Sequence, residues 1–326
     1  MKIKLLTLAV ATTFGAPSFA VQVYEDNSST FSIGGYVDVG VGEYGDSTEV
    51  EVHQVSPRLN IEGTHDIGNG VTVDAKGEWA INYLNGGDNS FTTRLGYIGA
   101  THETAGRLVV GTQWTPYYDI LGVADQPIAF ANDFLYANQG NLGVARGDKM
   151  VTYRNGFSFA NDMSLDFGLG WQGQKTDMLV DYDDRGQISI AFSALGATLG
   201  YVYNGGEVDN EDAESHGVAL SYGKYADGIF GALVYADNDN FYPGYYESQQ
   251  YEAIIAYGLT SGTVFSVNYE FVEGKVTSGT PKTTDFEQSA IQVEHSFTQR
   301  FVGFAGYQFD IEDDDDKWSI GGRFFL

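Results

Sequence analysis

The side chains of this 326-residue sequence that could bind a metal or act as catalytic groups form no recognised motif. The five histidines are spread over distant segments, without the close spacing of a His-Glu-x-x-His zinc site. There is no cysteine, which excludes thiolate metal sites and disulfides, and no Gly-x-Ser-x-Gly nucleophile elbow is present. We therefore predict no enzymatic activity, no cofactor and no bound metal.

Two further segments match ligand-binding patterns only in part. Residues 40–45, GVGEYG, fit the dinucleotide-binding pattern G-x-G-x-x-G, but the glycines lie inside a predicted strand and no helix follows. We interpret them as glycines that let strands or neighbouring subunits approach closely. Residues 311–317, IEDDDDK, lack the ligand spacing of a calcium loop, so we predict a solvated loop there.

Charge and the first residues restrict the class of protein. The chain has 44 acidic and 17 basic residues, for a formal net charge of −27, which disfavours nucleic acid as a partner. Residues 1–20 combine Lys2 and Lys4, a short apolar stretch and the small residues Ser18 and Ala20, a pattern typical of a cleaved signal peptide. We predict a mature domain of residues 21–326, in which no apolar run is long enough for a transmembrane helix.

Strict alternation of apolar and polar residues runs through most of the mature chain. It is clear in VFSVNYEF (264–271), YQFDIE (307–312) and the terminal KWSIGGRFFL (317–326). Successive side chains of a strand point to opposite faces, so each of these segments has one apolar and one polar face. The pattern predicts an all-β protein.

The breaks between these segments alternate between short turns and longer stretches rich in Asp, Asn and Gly, which include NYLNGGDNS (82–90), TDMLVDYDD (176–184) and DNEDAE (209–214). This alternation is typical of a transmembrane antiparallel β-barrel, with tight turns at one end and long loops at the other. A soluble β-sandwich or adhesin is the alternative, and 14 or 18 strands also remain possible. We predict 16 strands, beginning near residues 30, 51, 71, 91, 107, 148, 163, 185, 198, 215, 229, 247, 263, 285, 301 and 317.

One break, residues 116–147, is far longer than the others and contains many large apolar side chains. A loop of this length in a compact domain is usually functional. We predict that it folds into the barrel, where the apolar residues are buried against the inner wall; an external flap is the alternative. The apolar residues are Tyr117, Ile120, Leu121, Ile128, Phe130, Phe134 and Leu135.

At this loop the chain resembles the general porins of Gram-negative bacteria, which are trimeric barrels of sixteen strands. The resemblance covers essentially the whole mature chain. Each of its motifs is weak alone, but their order and spacing are specific. They are SPRLNIEG (56–63), TTRLGYIGA (92–100), GTQWTPYYDILG (111–122), VTYRNG (151–156) and the terminal strand.

The resemblance implies a pore constriction between arginines of the wall and acidic residues of the inward loop. The matching wall positions are Arg58, Arg94 and Arg154, and the matching acids are Asp119, Asp125 and Asp133. Alternation supports the inward orientation of the arginines, because it assigns their neighbours Leu59, Leu95 and Tyr153 to the outer face.

Three positions depart from the family pattern. Tyr36 stands where the family usually has a basic residue on the first strand, and Ile128 stands where its loop has a glutamate. The constriction thereby loses one positive and one negative group. The chain ends in Leu326, whereas the assembly signal of the family ends in phenylalanine.

The resemblance implies a homotrimeric outer-membrane channel for ions and small hydrophilic solutes, in contact with lipid and lipopolysaccharide. Asp38, Asp74 and Glu78 also point inward by alternation, so we predict cation selectivity. A channel selective for sugars or oligosaccharides is the alternative. A blocked barrel that serves as an adhesin or surface enzyme is the other alternative.

Overall fold

A computed structural model describes residues 20–84, 91–159, 162–177, 179–313 and 315–326. The predicted signal peptide, residues 1–20, lies outside these described residues except for Ala20. The tip of the long break predicted at residues 82–90 lies outside them too, from residue 85 onward.

The described residues form one antiparallel sheet made of twenty strand segments. The segments are β1 (Val21–Glu25), β2 (Ser29–Glu43), β3 (Glu51–His53), β4 (Arg58–Gly68), β5 (Val71–Ile81), β6 (Phe91–His102), β7 (Gly106–Trp114), β8 (Arg146–Ser158), β9 (Ser164–Gln172), β10 (Lys175–Asp177), β11 (Val180–Tyr182), β12 (Arg185–Ala194), β13 (Ala197–Val208), β14 (Glu211–Lys224), β15 (Asp227–Asp239), β16 (Glu247–Gly258), β17 (Thr263–Lys275), β18 (Thr283–Thr298), β19 (Phe301–Asp310) and β20 (Lys317–Phe325).

Four pairs of these segments lie end to end and each pair forms one strand of the barrel. Within the described residues the twenty segments therefore make sixteen rows, where a row is one strand position of the barrel. β3 and β4 both pair with β2, at different heights, and form one row. β9 continues into β10, and β11 continues into β12. β1 and β20 lie along the same side of β2. The predicted sixteen-stranded barrel is confirmed.

The last strand closes the barrel. β20 pairs with β19 on one side and with β2 on the other, and the Leu326 amide donates to the Gly35 carbonyl at 3.0 Å. Its apolar side chains Ile320 and Phe324 are exposed on the outer face, whereas Ser319 is buried on the inner face. The closure leaves the backbone groups of β2 and β20 paired, as a sheet in a membrane requires.

The outer face of the barrel is apolar because one side chain in two along each strand points away from the lumen. Ile255 of β16 and Val267 of β17 are 62% and 45% exposed, whereas their neighbours Ile254 and Ser266 are buried. Large apolar side chains exposed in this way on successive strands form a surface suited to lipid rather than water.

The sequence pattern misplaced one external break and part of another. The break predicted at residues 209–214 is only a two-residue turn, because β13 ends at Val208 and β14 begins at Glu211. The break predicted at residues 176–184 contains β11 and part of β10. Glu211 and Asp212 place acidic side chains on both faces where β14 begins, so no apolar alternation marks that strand end. β10 and β11 have only three residues each, too few for alternation to predict a strand.

The GVGEYG segment is the end of β2 and the turn after it. A Cβ atom on Gly42 would lie 1.9 Å from the Trp318 carbonyl oxygen of β20. The glycine therefore allows two strands of the same barrel to approach, which agrees with the first of the two roles predicted for this motif.

Within the residues that the structure describes, helical structure occurs only in the segment between β7 and β8. It comprises α1 (Pro116–Leu121), α2 (Gln139–Leu142) and two single 3₁₀ turns, Gly122–Ala124 and Phe134–Tyr136. None of the helices in the described residues is long and apolar enough to cross a membrane.

The Gly35→Ala substitution is expected to destabilise the barrel at the pairing of β2 with β4. Gly35 has φ of +132°, and a Cβ atom there would lie 2.1 Å from the Arg58 carbonyl oxygen. Strain of this kind costs about 1–3 kcal/mol even before the clash is counted. The temperature at which the folded band is lost in gel electrophoresis should therefore fall. Gly63→Ala is the control, because its Cβ atom would meet nothing closer than 3.7 Å; equal losses would contradict the argument.

Candidate functional site

The long segment between β7 and β8 enters the barrel as a capped helix. The Thr115 hydroxyl accepts a hydrogen bond from the Tyr118 amide at 3.1 Å, and Pro116 occupies the first turn of α1. Both features favour the start of a helix at this point. The chain therefore turns inward immediately after β7 instead of continuing outward.

The segment lies against the inner wall, and its apolar side chains form a core with that wall. Tyr117, Leu121 and Leu135 are completely buried, and the wall residues that cover the segment are the inward side chains of β13 to β17. Burial of one such side chain stabilises by about 1.5–3 kcal/mol. The predicted fold of the loop into the barrel is confirmed. We call residues 115–145 the inner loop.

Arg154 fastens the beginning of the inner loop to the wall. Its Nε atom lies 2.5 Å from Asp119 Oδ2, and its Nη2 atom donates to the Trp114 carbonyl oxygen at 2.8 Å. The guanidinium group is almost fully buried beneath α1. Of the predicted site residues, Arg154 and Asp119 thus form a buried anchor under the loop, and neither lies on the open side of it.

The far part of the inner loop is held by wall side chains that accept hydrogen bonds from its backbone. An unpaired buried amide would be costly; the bonds to the two glutamates are worth about 1.5–3 kcal/mol each, and the bond to the neutral glutamine about 0.5–1.5 kcal/mol. The bonds join Ile128 N to Glu294 Oε1 (2.7 Å), Phe130 N to Gln292 Oε1 (2.9 Å) and Phe134 N to Glu270 Oε1 (2.8 Å).

Ile128 packs at the edge of a small apolar cluster. Its neighbours there are Ala129 and Phe130 of the inner loop and Phe304 of β19. The inner loop therefore presents no carboxylate at position 128, and its acidic groups lie elsewhere.

Asp125 is the acid of the inner loop that faces the arginines of the wall. It accepts hydrogen bonds from the hydroxyls of Tyr118, at 2.6 Å, and Tyr136. Burial raises the pKa of Asp125, although these hydroxyls and the charges of Arg58 and Arg94 act in the opposite direction. Both arginines are therefore close enough to Asp125 to act on its charge.

Two of the predicted arginines share one carboxylate on the wall. Arg94 Nε lies 2.8 Å from Glu78 Oε1, and Arg58 Nη1 lies 3.7 Å from the same oxygen. Two cations beside one anion leave this part of the wall positive.

Arg94 points inward for a reason that differs from the predicted one. In the pairing of β5 with β6, Glu78 is opposite Leu95 and Trp79 is opposite Thr93, so Arg94 is the extra residue of a β-bulge. Leu95 is only 3% exposed and does not lie on the outer face, which corrects the prediction from alternation. A bulge breaks the period of two and lets adjacent side chains share a face.

Arg146 is a wall residue that the sequence reasoning missed. Its guanidinium carbon lies 5.4 Å from the ring centroid of Trp114 and 5.5 Å from that of Tyr136. Within the described part of the chain, no carboxylate forms an ion pair with it. Its even spacing from Arg154, eight residues later on the same strand, was a signal that both face the lumen.

Tyr36 occupies the place of the expected basic residue and contacts two arginines. The guanidinium carbon of Arg58 lies 4.8 Å from the centre of the Tyr36 ring, and that of Arg323 lies 4.1 Å from it. The Tyr36 hydroxyl is 3.2 Å from Ser56 Oγ. Cation–π contacts of this kind contribute about 0.5–2 kcal/mol each. The ring therefore fixes the positions of both charges.

One family profile matches this chain over most of its length, and that match decides the family. The profile of the family described as Gram-negative porin matches residues 6–316. The chain is a Gram-negative porin. Porins of this kind are proteins of the outer membrane, which agrees with the lipid-facing exterior of this barrel.

Individual relatives support the assignment along the whole chain. Outer membrane protein U of Vibrio parahaemolyticus is 26% identical over 99% of this chain and 94% of its own length. Among solved structures, Salmonella typhi OmpF in complex with daunomycin aligns with a TM-score of 0.80, at 17% identity, over 94% of this porin and 100% of that chain. Vibrio cholerae OmpT, in its trimer form, aligns with a TM-score of 0.69, at 14% identity, over 92% of this porin and 100% of that chain.

Asp133, the third acid of the inner loop, is exposed in the lumen of the porin. The surrounding loop and wall desolvate its carboxyl, and together with the negative charge of Asp125 this raises the pKa of Asp133 above its usual range. No group of three or more potential metal ligands occurs among the residues that the structure describes.

The Asp119→Asn substitution should weaken the attachment of the inner loop. It leaves Arg154 buried without its carboxylate, which costs about 3–5 kcal/mol. Urea unfolding of the porin in lipid vesicles, followed by tryptophan fluorescence, measures the loss. The control is Asp148→Asn, which breaks the half-exposed Lys175–Asp148 pair and should cost less than about 1 kcal/mol. Equal losses would show that Arg154 and Asp119 do not anchor the loop.

Proposed function

We propose that the porin forms a water-filled channel through which ions and small hydrophilic solutes cross the outer membrane by passive diffusion, without enzymatic activity. The observation that carries this proposal is the presence of basic side chains on the wall close to acidic side chains on the inner loop. Arg58, Arg94 and Arg146 lie on the wall, and Asp125 and Asp133 lie on the inner loop. We call the space between them the throat.

A field between opposed charges favours polar solutes over apolar ones. Solutes with dipoles can align in the throat, where the low-dielectric wall focuses the field, whereas apolar solutes displace ordered water without gaining partners. The predicted constriction residues Tyr36, Arg58, Arg94, Asp125 and Asp133 belong to the throat in this proposal. Arg154 and Asp119 support it from beneath the loop.

The throat itself has no net formal charge, so we attribute cation selectivity to the carboxylates outside it. They give the chain its net charge of −27 and raise the local concentration of cations around the channel. The charges that balance in the throat are Arg58, Arg94, Arg146 and Arg323 against Asp38, Glu78, Asp125 and Asp133.

We further assign a homotrimer, with lipid and lipopolysaccharide around its outer face, and removal of residues 1–20 on export. The trimer is supported by the Vibrio cholerae relative solved in a trimer form. Contact with lipid is supported by the exposed apolar side chains of the outer face, which include Trp318 and Phe324.

Single-channel recording of the purified porin in a planar lipid bilayer tests this function. We expect a stable conductance that closes in three equal steps, and a reversal potential of the sign for cation preference in a KCl gradient. The intact mass of the same sample should match a chain that begins at Val21. Heat-unfolded protein is the control. Verified folded protein that does not conduct would contradict the proposal, and block by oligosaccharides at low concentration would favour a sugar-selective channel.

Cation preference should depend on pH through Asp133. Because its pKa is raised, this carboxyl loses its charge as the pH falls from neutrality toward the ordinary aspartate value of about 3.9. The reversal potential should therefore shift toward anion preference, and it should do so at pH values higher than those at which the external carboxylates lose their charge. Asp133→Asn removes this step and is the matched control; an identical pH profile in both proteins would contradict the assignment.

A further inference from the structure

An ion pair lies across the seam where the barrel closes. Asp38 of β2 and Arg323 of β20 are directly opposite each other in the strand register. Arg323 Nε and Nη2 lie 3.0 and 2.9 Å from Asp38 Oδ2, and both side chains are buried on the lumen side. The Asp38 carboxylate also accepts a hydrogen bond from the Val55 amide at 2.9 Å.

This pair is continuous with the basic side of the throat through Tyr36 and Ser56. Arg323 stacks on the ring of Tyr36, which also contacts Arg58. Arg323 Nη2 donates to Ser56 Oγ at 3.1 Å, and the Tyr36 hydroxyl lies 3.2 Å from the same oxygen. A change of charge on Asp38 or Arg323 therefore changes the electrostatic potential at Tyr36 and Ser56, which are the neighbours of Arg58.

The seam pair places a positive charge next to Tyr36, where the family has a basic residue, together with a negative charge that neutralises it. Arg323 supplies a guanidinium beside the position of the missing basic residue. Asp38, one strand away, neutralises it. A single unpaired charge in a narrow, low-dielectric passage has a large effect on passing ions, so the balance of this pair matters for ion preference.

We propose that the Asp38–Arg323 pair is a selectivity-determining element of the throat, and that Tyr36 is a positioning residue that holds Arg323 on Asp38. The proposal rests on the channel function above. Its rival is a purely structural role, in which the pair only joins the two strands of the seam. That rival predicts changes of stability without changes of ion preference.

Three variants measured by reversal potential in a KCl gradient separate the two roles. Asp38→Asn keeps an acceptor for the Val55 amide but exposes the charge of Arg323, so the ratio of cation to anion permeability should fall several-fold. Arg323→Gln exposes the charge of Asp38, so the ratio should rise. The double variant should return to the wild-type value. Glu247→Gln is the control, because it breaks the Lys275–Glu247 pair on the outer face of the barrel and should leave the permeability ratio unchanged.

Chemical modification after folding makes the test independent of variant stability. The chain has no cysteine, so Ser56→Cys introduces a single reactive thiol beside the seam pair. A negatively charged methanethiosulfonate reagent should raise cation preference in the open channel, and a positively charged one should lower it.

Unchanged reversal potentials in all the seam variants, together with no effect of either reagent on Ser56→Cys, would overturn the proposal and leave the pair a structural contact. A wild-type porin that does not conduct would instead refute the channel function itself. The two failures are therefore distinguishable.

Discussion

Pairing of the backbone within lipid is the constraint on which the rest of this structure depends. A strand in the hydrocarbon core has no water to bond its amides and carbonyls, so the sheet must return to its own first strand. β20 meets β2 at the seam and provides that return. Closure then fixes the alternation of every strand, because it defines one face for lipid and one for the lumen.

Closure also creates an interior, and the inner loop divides it into two unlike halves. Along β13 to β17 the loop and the wall bury apolar side chains, much as the core of a soluble protein does. Along β2 to β8 the wall carries arginines and their carboxylate partners, and water remains in contact with them. The backbone of the loop needs hydrogen-bond partners on the packed side, which explains the glutamates and glutamines of β17 and β18 that face it.

The sequence was sufficient for the barrel because its determinants are local. Side-chain alternation and turn residues locate most strand starts to within a few residues. They fail at strand ends that are rich in acidic residues, such as those joined by the turn from Val208 to Glu211. The throat depends on contacts between distant segments. The alternation of side chains along a strand was enough to predict that Arg58 and Tyr36 face the lumen. Nothing in the local sequence distinguishes Arg154, which is covered by α1, from Arg146, which is not.

The bulge at Arg94 shows how charge in such a wall depends on chain length as well as composition. One extra residue opposite Glu78 and Trp79 turns this arginine toward the lumen. Deleting Thr93, just before the bulge, would restore the regular period, place Arg94 opposite Trp79 on the outer face and direct the cation into lipid. Insertions and deletions of single residues within strands are therefore a route by which barrels of this kind can gain or lose a lumen charge without replacing a side chain.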